Sequence, residues 1–262
     1  MTSHDVVATV RRVLGNKLKV GHLGTLDPAA SGVLPLAIGA ATRWISFLPP
    51  ARKGYIAELT LGLQSDTHDG EGRVEAGGSL PADSLEQLDL AIPAFLGSIL
   101  QEPPQVSAIR VAGKRGYERA RAGEEFELKA RPAAYHRIQV LRADLPRVWL
   151  GVDCGPGTYI RALARDLGRK LGCGAILSAL IRTRSGRFEY CDGNVLEELP
   201  GWAHLLKPIE WPWLELPALE AQGVGQLSSL DWEGDGPRWL RSPDWTGIVQ
   251  KIDGKPVLVK RS

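Results

Sequence analysis

Apolar residues recur at helical spacing in three segments of the chain. The pattern predicts helices over residues 3–14, 84–97 and 159–172. Ser3 stands where an N-cap is expected, and Gly15 follows the last apolar position of the first segment. We therefore expect the chain to open with a helix that is capped by Ser3 and stops at Gly15.

Alternation of apolar and polar residues predicts strands in three other segments. Residues 55–63, 134–142 and 147–154 alternate well enough for one face of each strand to be buried. The polar cluster at 65–72 follows the first of these strands and indicates a turn. The glycines and prolines of residues 21–43 lie among small side chains and favour loops and tight turns over a long helix.

The composition changes near position 200. Six of the eight tryptophans lie in the last 61 residues, where strands and turns dominate the pattern. Pro208, Pro212 and Pro217 indicate a linking segment at the start of this region. We therefore predict two domains, a large one over residues 1–205 and a small β domain over 206–262.

Composition narrows the class of protein. Of the 262 residues, 24% are charged and 44% hydrophobic, and no apolar run approaches the roughly 20 residues that span a bilayer. The N-terminal residues lack the continuous apolar stretch of a signal peptide. Three cysteines without CxxC spacing and five scattered histidines argue against a disulfide framework and against a zinc site. We expect a cytoplasmic protein with reduced thiols and no metal.

Charge is uneven along the chain, although the net charge is only +2. Residues 1–53 carry seven Lys and Arg against two acids, 110–142 carry nine against four, and 161–187 carry seven against one. Residues 54–109 carry nine acids against one base. If the basic blocks fold onto one face they form a footprint for phosphates, and otherwise they are solvated helix faces. Charge alone favours neither interpretation.

The densest chemical signal lies in residues 21–43, GHLGTLDPAASGVLPLAIGAATR. Its glycines allow the backbone to turn sharply and to come close to a ligand. Asp27 precedes Pro28, whose ring disfavours helical backbone at residue 27 and so presents the carboxylate from an extended chain. The residues by themselves leave two interpretations open, a reactive carboxylate or an ordinary Asp-Pro turn.

The same segment resembles the signature of the bacterial tRNA pseudouridine-55 synthases, the TruB family of pseudouridine synthases. The family pattern is GHxGxLDPxAxGxLPxxxGxATR, and every fixed position is matched here. Residues 53–72, 106–123 and 157–186 are similar to further family segments, and they follow in the family's order. The C-terminal part is only loosely similar to the family's small PUA-type RNA-binding domain.

The resemblance implies a fold and a reaction. The fold is α+β, with a mixed, largely antiparallel sheet flanked by helices, an active-site cleft across its middle and a small C-terminal PUA-like β domain. Residues 1–205 would be the catalytic domain, with an RNA-binding insertion around 100–135. The reaction would be an isomerisation in tRNA, in which uracil leaves C1′ of ribose, rotates and rejoins through C5. Such a reaction needs no cofactor.

Three catalytic residues are implied by the resemblance. Asp27 matches the family's catalytic aspartate, and Arg161 matches the arginine that pairs with it and keeps it ionised. The alternative for Arg161 is a surface or phosphate-facing arginine. Tyr55 matches the active-site tyrosine that stacks on the uracil and helps to remove the C5 proton. Its pattern alone would make Tyr55 a half-buried strand aromatic.

Further positions match substrate-binding residues of the family. Tyr159 and Leu180 match residues that line the substrate pocket, although periodicity alone would place both in the core. His22 matches a histidine beside the flipped-out nucleotide, so we assign it to binding, although such a residue is more often a turn histidine. The basic segment 106–123 matches an RNA-clamping insertion; by itself it would be a solvated surface. Its candidate RNA contacts are Arg110, Lys114, Arg115 and Arg119.

The chain departs from the family pattern at two points. A strand and a KPxG segment would precede the Thr2-Ser3 dipeptide, and Pro156 stands where the family often has lysine, so one phosphate contact is expected to be missing. We expect a monomer that modifies uridine 55 in the T-arm of tRNA without a guide RNA or a protein partner. The alternatives are a relative that a guide RNA directs, and an RNA-binding or tRNA-folding protein with secondary catalysis.

Overall fold

In the computed structural model the chain divides into two units, Met1–Pro200 and Gly201–Ser262. The structure describes residues 1–48, 50–107, 110–111, 114–116, 119, 126, 128–190, 213–215, 238–241, 246–252 and 255–261. The predicted domain boundary between residues 205 and 206 lies outside the described residues, and so does Cys191. Cys154 and Cys173 are buried free thiols.

The first helix, α1, spans Ser3–Val13 and is capped one residue earlier than predicted. The Thr2 hydroxyl accepts a hydrogen bond from the Asp5 amide at 3.2 Å, and the Asp5 carboxylate accepts one from the Thr2 amide at 2.7 Å. This reciprocal arrangement is a capping box. The prediction of Ser3 as the cap is therefore wrong. Gly15 adopts φ +66°, the left-handed conformation typical of the residue after a helix end.

Two more helices and thirteen strands are described in the first unit. The helices are α2 (Ser84–Ala91) and α3 (Ile160–Lys170), and the 3-10 helices are Gly39–Phe47 and Ile92–Phe95. The strands are β1 (Val20–His22), β2 (Ala30–Gly32), β3 (Leu36–Ile38), β4 (Lys53–Leu61), β5 (Leu63–Ser65), β6 (Val74–Ala76), β7 (Gly97–Gln101), β8 (Arg110–Val111), β9 (Lys114–Arg115), β10 (Arg131–Asp144), β11 (Arg147–Cys154), β12 (Ala175–Ser185) and β13 (Phe188–Glu189).

A seven-stranded sheet forms the centre of this unit. Six strands follow the order β13-β12-β4-β11-β10-β7, and every neighbouring pair is antiparallel. The seventh, β2, pairs with β12 in parallel, with Leu180 opposite Ala30. The predicted fold class, α+β with a largely antiparallel sheet, is confirmed.

The core lies between one face of the sheet and the helices. Alternate residues of β4 and β11, such as Leu59 and Leu150, are fully buried, and so are Leu163 and Leu167 of α3. Helix α3 packs against β12 and β4, and α2 packs against α3. Burying each leucine contributes roughly 1.5–3 kcal/mol, so this packing fixes α3 firmly on the sheet.

The second unit contains a four-stranded sheet in the order β14-β15-β16-β17. Its strands are Trp213–Glu215 (β14), Arg238–Arg241 (β15), Thr246–Ile252 (β16) and Lys255–Arg261 (β17). The first pair is parallel and the other two are antiparallel. Among the described helices of the chain, none is long and apolar enough to cross a membrane.

Candidate active site

Asp27 lies in the loop between β1 and β2, and a buried arginine of β12 binds the backbone of that loop. Arg182, on β12, is fully buried. Its guanidinium donates to the carbonyl oxygens of Val33 at 2.7 Å, Thr25 at 2.9 Å and Gly24 at 3.2 Å. Because these three carbonyls lie on both sides of Asp27 in the sequence, Arg182 fixes the two arms of the loop together.

Gly32 allows the loop to come this close to β12. Its φ is +102°, and a Cβ placed on it would lie 2.3 Å from the carbonyl oxygen of Arg182. Only glycine fits both the conformation and the contact. The fixed glycine of the signature at this position therefore has a steric reason, which is the parallel pairing of β2 with β12.

Arg161, the second residue of α3, pairs with Asp27. Its Nε lies 3.0 Å from Asp27 Oδ2, while Nη1 donates to the Thr67 carbonyl at 3.2 Å and Nη2 to the Val106 carbonyl at 2.9 Å. The Arg161 side chain is only 6% exposed, whereas that of Asp27 is 40% exposed. This burial argues against the surface arginine considered from the sequence. The arginine is held by the protein, and the carboxylate it contacts remains open to solvent.

Helix α3 starts at a fixed position because Gln101 binds the backbone of its N-cap residue. The Tyr159 amide donates to Gln101 Oε1 at 2.9 Å, and Gln101 Nε2 donates to the Tyr159 carbonyl at 3.1 Å. Gln101 Nε2 also lies 2.7 Å from the Tyr135 hydroxyl. These hydrogen bonds place the first turn of α3, and with it Arg161, relative to β7 and β10.

A second carboxylate, Asp69, was missed by the sequence reasoning. Its Oδ2 lies 3.5 Å from Arg161 Nε, and its Oδ1 accepts hydrogen bonds from Thr67 Oγ1 at 2.5 Å and from the Glu71 amide at 3.0 Å. Asp69 is 8% exposed. Arg161 thus lies between a buried carboxylate and an accessible one. The polar cluster at 65–72 resembled an ordinary turn, and its spacing carried no signal of this contact.

These groups meet in a cleft of about 230 Å³. Its polar lining includes Asp27, Asp69 and Arg161, and its apolar lining includes Leu177 and Leu180. The cleft therefore combines charged and apolar side chains, as small-molecule sites do. The structure places Asp27, Arg161 and Leu180 in the lining of one cleft.

Tyr55 lies next to this group on β4 but is not part of the described lining of the cleft. It is 7% exposed and stands opposite Arg182 in the β4–β12 pairing. Burial raises the pKa of Tyr55 to about 12, although the Arg182 guanidinium acts in the opposite direction. The charge of Asp27 also contributes to the increase in the pKa of Tyr55, so the two side chains interact electrostatically. At neutral pH the residue is a neutral phenol.

Tyr159 and His22 are outside the described lining of the cleft. Burial is the main cause that raises the pKa of Tyr159, and the charge of Asp27 adds to it. Burial also lowers the pKa of His22, and the charge of Arg182 lowers it further. His22 Nδ1 is buried and has no hydrogen-bond partner among the described residues.

The basic segment 106–123 is described only in part. Arg110 pairs with Arg115 and Val111 with Lys114 in the short hairpin β8–β9. The structure describes the backbone of Arg110, Lys114 and Arg115 but not their side chains. The Arg119 guanidinium carbon lies 5.0 Å from the centre of the Phe126 ring. The start of the segment reaches the site, because the carbonyl of Val106 accepts from Arg161.

Among the described residues, no group of three or more His, Cys, Asp or Glu side chains could hold a metal ion. A carboxylate held by a buried arginine, beside apolar side chains, can attack or deprotonate a bound ligand.

Comparisons with known proteins agree with this geometry. Residues 11–160 match the family model described as "TruB family pseudouridylate synthase (N terminal domain)". Residues 161–209 match the model of the "tRNA pseudouridylate synthase B C-terminal domain". Together the two matches cover the described site residues from Asp27 to Arg182.

Proteins named tRNA pseudouridine synthase B are similar over most of the chain. The protein of Heliobacterium modesticaldum is 44% identical over 256 residues, which cover 92% of this chain and 83% of that protein. The protein of Symbiobacterium thermophilum is 49% identical over 212 residues, which cover 79% and 71%. The protein of a Synechococcus strain is 41% identical over 259 residues, which cover 93% and 86%.

Two solved structures have a similar fold. A "Cbf5-Nop10-Gar1 Complex" contains a chain with a TM-score of 0.66 and 25% identity, covering 100% of this chain and 81% of that one. An "H/ACA RNP bound to a substrate RNA containing 2'-deoxyuridine" contains a chain with a TM-score of 0.55 and 33% identity, covering 77% and 50%. Family models, relatives and fold agree: the chain belongs to the TruB family of pseudouridylate synthases.

Proposed function

We propose that this chain converts uridine 55 in the T-arm of tRNA to pseudouridine, without a guide RNA or a cofactor. One observation carries the proposal: the accessible carboxylate of Asp27 is held by the buried Arg161 at 3.0 Å, at the edge of a cleft. The relatives' name, tRNA pseudouridine synthase B, supports tRNA as the substrate.

The isomerisation breaks the bond from C1′ to N1 and forms one from C1′ to C5. The C5 proton is lost and N1 is free to take one up, so the atoms balance without any co-reactant. Asp27 is the group that acts on the nucleotide. Arg161 holds Oδ2 of Asp27 at 3.0 Å, and the Asp27 side chain is 40% exposed, so the carboxylate is both oriented and accessible to a bound nucleotide.

Tyr55 supports the base as a neutral phenol. Because its pKa is raised to about 12, it is not an ionised base at neutral pH. Its ring can stack on the uracil, while Leu180 and Tyr159 bound the nucleotide on other sides. His22 lies beside the flipped-out nucleotide and contributes to its binding without transferring a proton.

The target uridine has to leave the folded T-loop before it can reach Asp27. Such extraction costs a few kcal/mol, which stacking and phosphate contacts offset. The segment 106–123, with the hairpin β8–β9 and Arg119, supplies the phosphate contacts. In this account the enzyme acts as a cytoplasmic monomer and needs no protein partner. Residues 206–262 serve as a small PUA-like RNA-binding domain that follows the catalytic domain 1–205 in the sequence.

A second candidate is modification of an RNA that a guide RNA selects. The similarity in fold to the chain of the "Cbf5-Nop10-Gar1 Complex" favours this candidate. The higher identity to the tRNA pseudouridine synthases, 41–49% against 25–33%, favours the first. The two proposals differ in whether purified protein alone modifies free tRNA.

The test is to incubate the purified chain with an unmodified tRNA transcript and to map pseudouridine by chemical labelling. A transcript with cytidine in place of uridine 55 is the matched control. We expect product only at position 55 of the first transcript, with no guide RNA present. Product that requires a guide RNA would support the second candidate. RNA binding without product, both in the absence and in the presence of a guide RNA, would contradict both.

A further inference from the structure

The Ser3 side chain, at the start of α1, contacts the loop that carries Asp27 and not its own helix. Its hydroxyl donates to the carbonyl oxygen of Leu26 at 3.1 Å and accepts from the Leu26 amide at 2.8 Å. A serine hydroxyl has a single donor, and that donor is used on Leu26. Ser3 is 7% exposed. The first residue of α1 therefore binds both backbone polar groups of the residue before Asp27.

The cap of α1 is provided elsewhere. Thr2 and Asp5 form the capping box, so the N-terminal amide that a cap must satisfy already has its partner. Removing the Ser3 hydroxyl takes no cap from the helix. The function of this hydroxyl must be sought in the loop that it binds.

Binding Leu26 at both groups fixes the chain just before the reactive carboxylate. The Leu26 carbonyl and the Asp27 amide share one planar peptide unit, so a bond to that carbonyl orients the start of Asp27. On the following side, the Ala30 amide donates to the Asp27 carbonyl at 2.9 Å. Arg182 holds Thr25 and Val33 from β12. Without Ser3, the peptide adjoining Asp27 has no side chain holding it among the described residues.

We propose that Ser3 is a positioning residue for the reaction of Asp27. It acts through the backbone of Leu26 and keeps the Asp27 carboxylate at the distance and angle that its pairing with Arg161 and its attack on the nucleotide require. The inference rests on the proposed function, and it adds α1 to the parts of the fold that aim the carboxylate.

The chain offers a matched control at the neighbouring residue. Ser3→Ala removes the contact with Leu26, whereas Thr2→Ala removes the cap of the same helix and leaves that contact in place. Ser3→Thr keeps a hydroxyl at the position. For each variant of the full chain, we would measure the melting temperature, the dissociation constant for a tRNA transcript and the single-turnover rate of pseudouridine formation.

The expected pattern separates positioning from stability. Ser3→Ala should lower the single-turnover rate by about 10- to 100-fold, as small misplacements of reacting groups do, with tRNA affinity changed by less than about threefold. Ser3→Thr should restore the rate to within about threefold of wild type, since the hydroxyl is what matters. Thr2→Ala should lower the melting temperature by about 2–4 °C and leave the rate from the bound complex unchanged.

Two results would overturn the role of Ser3 while the proposed function stands. One is a wild-type rate in Ser3→Ala; the other is an equal loss of rate in Thr2→Ala, which would make helix stability the cause. If Ser3→Ala does not fold, Ser3→Cys, which keeps the size but bonds weakly, should still be slowed, and a wild-type rate there would overturn the role. Absence of pseudouridine with the wild-type chain would instead overturn the proposed function, and the role of Ser3 with it.

Discussion

Replacing Arg161 by lysine keeps the positive charge and removes the planar guanidinium. Arg161 uses three nitrogens on three groups: the Asp27 carboxylate, the Thr67 carbonyl and the Val106 carbonyl. A lysine has one nitrogen and cannot span these acceptors. We expect the lysine ammonium to bind only one of these three acceptors, and the Asp27 carboxylate to lose its fixed orientation.

The size of the effect follows from these contacts. Misplacing a reacting group by about 1 Å costs roughly a hundredfold in rate, which is about 2.7 kcal/mol of transition-state stabilisation. The Thr67 and Val106 carbonyls are part-buried, so each one left without a donor costs at most about 1–3 kcal/mol in stability. Arg161 is only 6% exposed, so water replaces these bonds poorly. The affinity for tRNA should change far less, because Arg161 contacts a carboxylate and not a phosphate.

The assay compares Arg161→Lys and Arg161→Ala in single-turnover rate, tRNA dissociation constant and melting temperature. Arg169→Lys, two turns further along α3, is the matched control, because its side chain is 65% exposed and its ion-pair distance to Asp166 is 3.8 Å. Arg169→Lys should match wild type in all three measurements. A near-normal rate for Arg161→Lys, with a weakened affinity only in Arg161→Ala, would refute the ion-pair reasoning and make Arg161 a phosphate contact.

Three further predictions concern binding and pH. Reversing the charges of Arg115 and Arg119 should weaken tRNA binding and reduce the slope of log K against log salt by about two units, and an unchanged slope would assign segment 106–123 to ordinary surface. The pKa of His68 is lowered by burial and by Arg165, whose Nη1 lies 3.4 Å from Nε2. Below about pH 6.5 the unfolded chain therefore binds more protons than the folded chain, so the stability of the fold should decrease as the pH drops through this value. The melting temperature of His68→Asn should fall less than that of wild type over the same decrease in pH. Since the pKa of Tyr55 is about 12, the single-turnover rate should show no inflection from this residue between about pH 7 and 10. An inflection that disappears in Tyr55→Phe would contradict this.

Periodicity identified most elements of the fold and placed their ends less well. The strand predicted over 147–154 is β11, whereas the one predicted over 55–63 is β4, two residues earlier, because Gly62 adopts φ +81° and ends it. The helix predicted over 84–97 is divided after Ala91. Pro93 stands at the start of the 3-10 helix that follows, and it lacks the amide that a continuing α-helix would use.

The strand β12 was not predicted as a strand, although it lies between two others in the sheet. Register shifts at residues 177/179 and 182/184 interrupt its alternation, so its buried residues do not follow a period of two. It carries Arg182, a fully buried arginine whose residue type predicts exposure. Only the fold shows that three loop carbonyls surround this guanidinium.

Prediction of the site residues depended more on the resemblance to the family than on the local sequence pattern. Asp27 and Arg161 are 134 positions apart, and no local rule joins residues at that distance. Their pairing was expected because both positions match family motifs, and the structure places them in contact. Asp69 was not assigned a role from the family motifs, and its place in a polar turn of the sequence does not predict its contact with Arg161.

The most direct test of the account is the rate of Asp27→Asn on an unmodified tRNA transcript. The amide keeps the shape of the side chain and removes the charge that reacts, so RNA binding should remain within about threefold of wild type. No pseudouridine should form at position 55 in a single-turnover experiment that the wild-type chain completes. Formation of pseudouridine by Asp27→Asn at an appreciable fraction of the wild-type rate would show that another group performs the chemistry.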